Sequence, residues 1–162
     1  MTYPINITKL NSSIDFCSEV NPLLEEAMKY LNEHPWCEKI YKGWLFTNVG
    51  FAVCIFLFEI ENIQSSEDNR TWVIVGDFPP MYLDTFNVAT TTEVVEVYIE
   101  LVKDWIRKAE NGESLRECYP LDATTDKNSI ALLKNKIRLL EENIIPNIEK
   151  INFKVALQNR IE

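Results

Sequence analysis

The run Trp44-Leu45-Phe46-Thr47-Asn48-Val49-Gly50-Phe51-Ala52-Val53-Cys54-Ile55-Phe56-Leu57-Phe58 decides how this chain folds. It carries no charge, but at 15 residues, interrupted by Thr47, Asn48 and Gly50, it is too short and too polar for a membrane span. Such a helix needs about 20 predominantly apolar residues. Its aromatic and β-branched side chains have no polar face at helical spacing, which predicts strands in a core. Asn48-Val49-Gly50 marks either a tight hairpin turn or a glycine bulge in one bent strand, and local sequence leaves both open. Downstream, the polar connector Ile63 to Asn69 leads into Thr71-Trp72-Val73-Ile74-Val75. Three antiparallel strands follow as the economical expectation. The unbroken apolar character of Ala52 to Phe58 and Trp72 to Val75 predicts cover on both faces, by helices or by the N-terminal arm.

Gly76-Asp77-Phe78-Pro79-Pro80 ends the third strand, because proline supplies no ladder N–H, and a surface loop is expected from there to about Ala89. Thr90 and Glu93 have capping-box spacing, and Val94, Val95, Tyr98, Leu101, Val102, Trp105 and Ile106 form an apolar stripe. The spacing predicts a helix over Thr91 to Asn111, closed by Gly112. After a linker containing Pro120, Thr124 or Thr125 is the expected cap of a last helix with Ile130, Leu133, Ile137, Leu140 and Ile144 on one face, ended or kinked by Pro146. Upstream, Asn21-Pro22 reads as a helix start and Pro35 as its stop, placing a helix over Pro22 to Glu33. The expectation is one α+β domain over 1–162: a small antiparallel sheet of about three strands packed with three main helices. Residues 1–20 read as an irregular arm and 147–162 as a docked segment.

Trp72 to Leu83, with the strand exit Gly76-Asp77-Phe78-Pro79-Pro80, a helix carrying Tyr98 and Trp105, and a terminal helix ending in Ile144-Ile145-Pro146, resembles a group of small bacterial proteins with no assigned activity. The likeness covers Trp72 to Pro146. It implies a bacterial cytoplasmic setting and brings no catalytic residue with it.

The chain has 162 residues, 46% hydrophobic and 25% charged, with 16 basic and 25 acidic side chains and a net charge of −9. A unit of this size buries roughly 70% of its unfolded surface, so it needs no metal or disulfide to cohere. A pI near 4.7 speaks against nucleic acid as a partner. Cys17, Cys37, Cys54 and Cys118 form no CxxC pair, and no metal or cofactor is expected. The first residues, Met1 to Leu10, lack a signal-peptide pattern, which predicts reduced thiols in a cytoplasm. Cys54 reads as a small buried hydrophobe and the other three as more exposed. His34 is the only histidine and sits at a helix end, where a charge-relay role is unusual. The four glycines form no phosphate cradle, and no nucleophile-elbow or metalloprotease motif is present.

The charge is not evenly spread. Residues 59 to 104 hold Glu59, Glu61, Glu67, Asp68, Asp77, Asp84, Glu93, Glu96, Glu100 and Asp104 against Arg70 and Lys103, whereas from Lys127 onward bases exceed acids. Asp77 leaves a buried strand before two prolines, a position where aspartate commonly ties its own following backbone into a turn. As a binding patch, Asp77, Phe78, Tyr82 and Asp84, extended by Glu93, Glu96 and Glu100, would present carboxylates and aromatic rings to a basic protein, as immunity proteins to toxic nucleases do. The leading expectation is therefore a non-catalytic, acidic binding protein. One alternative is a small-ligand-binding protein or enzyme with its site at the strand exit near Asp77; another is a structural homodimer built on exposed apolar residues of the last helix.

Overall fold

A computed structural model describes residues 2–12, 19–67 and 69–158. Cys17, part of the N-terminal arm, Asp68 of the acidic band and residues 159–162 lie outside the described residues. The fold is α+β. Among the described residues its one sheet is fully antiparallel and has five strands rather than about three, in the order β1 (Ile5–Asn6), β2 (Cys37–Val49), β3 (Val53–Asn62), β4 (Arg70–Gly76), β5 (Phe78–Asp84). The Trp44–Phe58 run is a hairpin, not a bent strand: Val53 pairs with Val49, and Ala52 N–H donates to Val49 C=O at 2.9 Å across a turn in which Gly50 has φ +52°. That left-handed angle suits glycine because it lacks Cβ.

The two strands beyond the expected three are both at edges. Ile5 and Asn6 of the arm pair with Leu45 and Trp44 of β2, and the chain then coils through a 3-10 turn, Ile7–Ser12. At the opposite edge, the prolines do not take the chain out of the sheet. Phe78 pairs with Gly76 and Met81 with Ile74, so Pro79 and Pro80 together lie opposite Val75 in a bulge. An edge bulge is where a residue without N–H costs least. The expected surface loop thus contains β5, whose Phe78, Met81 and Leu83 are buried.

Among the described residues four α-helices cover the sheet: α1 (Val20–Asn32), α2 (Thr91–Glu110), α3 (Lys127–Leu139, continued by a π-helical turn, Leu140–Ile144) and α4 (Phe153–Gln158). Both sheet faces are covered, as the unbroken apolar strands predict. On one face Trp44, Phe46, Ile55, Leu57, Trp72 and Ile74 meet α2, α3 and Phe153. On the other, Leu45, Phe56, Phe58, Val73 and Val75 meet Val20, Leu23, Ala27 and Leu31 of α1, together with Ile5 and Leu10 of the arm. Each fully buried large apolar side chain contributes roughly 1.5–3 kcal/mol relative to exposure.

The helix ends divide into expected and unexpected. Thr90 caps α2, its Oγ1 accepting from Glu93 N–H at 3.2 Å, and Gly112 follows the helix at φ +66°. By contrast α1 begins two residues early at Val20, so Asn21 lies inside it, and its Oδ1 is buried without a hydrogen-bond partner among the described residues. The cap of α3 is Asp126 rather than Thr124 or Thr125, with Ser129 N–H donating to its Oδ1 at 2.9 Å and Thr124 Oγ1 to its Oδ2 at 2.5 Å. A carboxylate offers two acceptor oxygens, enough for the backbone and a flanking hydroxyl together.

Candidate functional site

The expected patch of Asp77, Phe78, Tyr82 and Asp84 is not one surface. Asp77 and Phe78 stand where β4 turns into β5, while Tyr82 and Asp84 lie further along β5, about 13 and 20 Å from Phe78 at strand rise. Asp84 is occupied structurally: its Oδ1 accepts from Phe86 N–H and Asn87 N–H, both at 2.9 Å. Tyr82 belongs to an aromatic group with Tyr30, His34, Trp36 and Tyr119. Within it, His34 Nδ1 lies 2.9 Å from Tyr30 C=O. Tyr119, which sequence patterning passed over as linker, holds the outer edge of β5: its hydroxyl accepts from Tyr82 N–H at 3.0 Å and donates to Tyr82 C=O at 2.9 Å. Burial pushes its phenol well above the ordinary value. Tyr98 from α2 likewise donates to Pro79 C=O at 2.7 Å. Two prolines and two hydroxyls thus leave β5 little to offer an incoming strand.

Asp77 does not tie down its own following backbone. Its carboxylate is 83% exposed and receives Lys136 Nζ from α3 at 3.0 Å, while the Lys136 side chain is only 20% exposed. This ion pair stands at the mouth of a cleft of about 680 Å³ between the β2–β3 turn, the β4–β5 corner and the end of α3. Leu23, Val49, Phe51, Leu139, Leu140 and Ile144 give it an apolar lining. A second hollow of about 530 Å³ adjoins it, sharing Phe78 and Lys136 and continuing past Pro79, Pro80, Leu132 and Leu133 to Glu26 and Asp122. Partial desolvation raises the Glu26 carboxyl above its ordinary value. Of these residues only Asp77 and Phe78 are binding candidates by sequence. The available signal was Leu132 and Leu139, seven residues apart and outside the buried stripe of α3.

Glu93, Glu96 and Glu100 form a third, separate region. At about 100° per residue they fall on the side of α2 opposite Tyr98, whose hydroxyl faces β5, so they do not share a surface with the β5 contact. Glu96 and Glu100 are exposed, Glu93 is half-buried, and none of the three makes an ion pair among the described residues. Other acids of the band are matched. Glu59 holds Arg70 at 3.0 Å, and Asp104 holds Arg107 at 2.5 Å and Lys108 at 3.4 Å. The Arg107 guanidinium keeps the Asp104 carboxyl below its ordinary value. Cys37 and Cys118 are buried rather than exposed, and burial pushes the Cys54 thiol up to about 12. Cys54 is fully buried, as its reading as a small core hydrophobe expects. No helix among the described residues is long and apolar enough to cross a membrane. No family model, curated protein or solved structure matches the chain.

Proposed function

We propose that the protein is a non-catalytic acidic binding protein that docks a basic protein partner, in the manner of the immunity proteins that neutralise toxic nucleases, in a bacterial cytoplasm. The observation that carries this is the disposition of its carboxylates. Asp77, Glu59 and Asp104 are matched by bases within the molecule, whereas Glu93, Glu96 and Glu100 line one side of α2 without an ion pair among the described residues. On a chain of net charge −9, such a stripe attracts a cationic surface and speeds encounter. Immobilised protein should retain a basic protein from the native lysate at low salt, identified by mass spectrometry, and release it at high salt. The triple variant Glu93→Gln, Glu96→Gln, Glu100→Gln should lose it. Retention of no basic protein, or retention indifferent to the triple variant, sinks the proposal.

A small ligand at the strand exit is the second reading, favoured by one observation: about 680 Å³ lies within the roughly 300–1,000 Å³ of small-molecule sites. A ligand held there raises the unfolding midpoint with the logarithm of its concentration, and the variant Leu139→Asp abolishes that rise.

A further inference from the structure

We infer that the groove formed by the two adjoining hollows seats an amphipathic, basic helix of the partner; this rests on the docking of a basic protein proposed above and names where and how it grips. Exposed large apolar side chains are concentrated in the groove. Val49, Phe51, Leu132 and Leu139 all line it, and Phe51 and Leu132 are 56% and 58% exposed. Contiguous apolar surface of this kind, rimmed by polar groups, marks an interaction site rather than ordinary surface.

The shape suits a helix. Leu132, Lys136, Leu139 and Asn143 recur at intervals of four, three and four residues, forming a stripe of α3 beside the one that packs into the core. From Leu132 to Ile144 the groove runs about 18 Å at helical rise, room for three turns of a helix laid alongside. The floor is completed by Phe78, Pro79 and Pro80.

Charge selects the kind of helix. The groove carries three carboxylates, Glu26, Asp77 and Asp122, against one ammonium, Lys136. Lys136 is already engaged by Asp77 and is the less exposed of the pair. The outward-facing charge of the rim is therefore negative, and it complements a helix with leucine-like anchors on one face and lysine or arginine flanking them. A second copy of this chain is a poorer occupant, because each copy brings its own net charge of −9 to the contact.

Three fluorescein-labelled synthetic peptides of equal length test this by anisotropy against the full chain. The first has a leucine face flanked by lysines, the second the same face flanked by glutamates, and the third the lysines with serine in place of leucine. The first should bind, and Leu132→Asp and Leu139→Asp should each weaken it by roughly tenfold or more. Phe86→Asp, at an exposed apolar residue outside the groove, should leave binding unchanged. Equal binding of the serine peptide overturns the groove while leaving a basic partner standing. Equal binding of the glutamate peptide, or binding of none, overturns the groove, while the docking of a basic protein on the α2 glutamates stands or falls by the lysate retention. Self-association in sedimentation that Leu139→Asp abolishes assigns the groove to a second copy. Dodecanoate binding without binding of the first peptide assigns it to a small amphiphile. Either result overturns the inference.

Discussion

Tyr119 shows how much one side chain can do for an edge. Its hydroxyl replaces, for Tyr82, the N–H and C=O partners that a further strand would have supplied, and it lies 3.3 Å from the Tyr30 hydroxyl. Removing a partner from a half-buried backbone pair costs about 1–2 kcal/mol, because the groups left behind are not fully returned to water. Tyr119→Phe should therefore lower the unfolding free energy measured in urea by about 1–2 kcal/mol, seen as a lower midpoint with an unchanged m-value, and Tyr30→Phe by less. Equal midpoints for wild type and Tyr119→Phe would show that the hydroxyl is dispensable. Gly76 is the other residue whose role is set by a neighbouring segment. A Cβ there would come within 2.2 Å of Ala52 C=O, so Gly76→Ala should destabilise by about 1–3 kcal/mol through forced backbone movement. Neither requirement is visible in the sequence, where Tyr119 is one aromatic residue in a linker and Gly76 one glycine at a strand end. Both depend on what another segment places nearby.

At the scale of elements, capping separates what is local from what is not. Thr90 and the end of α2 at Gly112 were readable because the capping box and the left-handed glycine involve only residues within one turn. Asp126 competes with Thr124 and Thr125 for the same duty, and both residue types cap helices, so spacing alone does not choose among the three. The carboxylate that does the capping is held down to about 2 by donors from Thr124 and Ser129, against an ordinary 3.8. Its folded-state value is depressed, so the stability it adds is present above about pH 4 and is lost as pH falls towards 2. The gap in stability between wild type and Asp126→Ala, measured by denaturant titration, should be open at pH 6 and should narrow over that acid range. A gap constant from pH 6 to pH 2 would rule out the carboxylate as the source. β5 gives the opposite lesson. Pro79-Pro80 predicts an exit from the sheet for any central strand, and only the position of β5 at an edge, with the bulge opposite Val75, makes the prolines tolerable.

On the scale of the whole molecule, the sheet separates two apolar layers, and the C-terminal segment closes the larger one. Phe153 packs edge-on to Trp72 with ring centroids 5.8 Å apart, and Thr91 ties the segment down, donating to Glu149 C=O at 2.7 Å and accepting from Ile151 N–H at 2.9 Å. Trp72 is itself fixed by donating to Val88 C=O at 2.8 Å. Phe153→Ala opens a cavity beside the central tryptophan and should cost about 3–5 kcal/mol, with a change in tryptophan emission before any unfolding. A loss below about 1 kcal/mol would mean that the segment is not part of the cooperative core. The charge of −9 likewise resolves into regions at this scale: an acidic side of α2, a matched pair at Asp77 and Lys136, and an ion-paired seam in which Lys103 meets Glu141 and Lys134 meets Glu110.

By itself, the sequence determined the class of fold, the core strands and their cover on both faces, and the body of each long helix, while the turn at Gly50 was settled only by the pairing of Val49 with Val53. These follow from hydrophobic period and local caps, interactions that span a few residues. Tertiary structure decided the strand count, the identity of the edges, and which candidate residues share a surface. Asp77 and Phe78 joined Lys136, Phe51 and Leu139 in a groove, while Tyr82, Asp84 and the glutamates of α2 went elsewhere. The physical reason is that edge pairing and concavity arise between segments far apart in the chain. Lys136 reaches Asp77 across 59 residues, a separation over which no local pattern carries information.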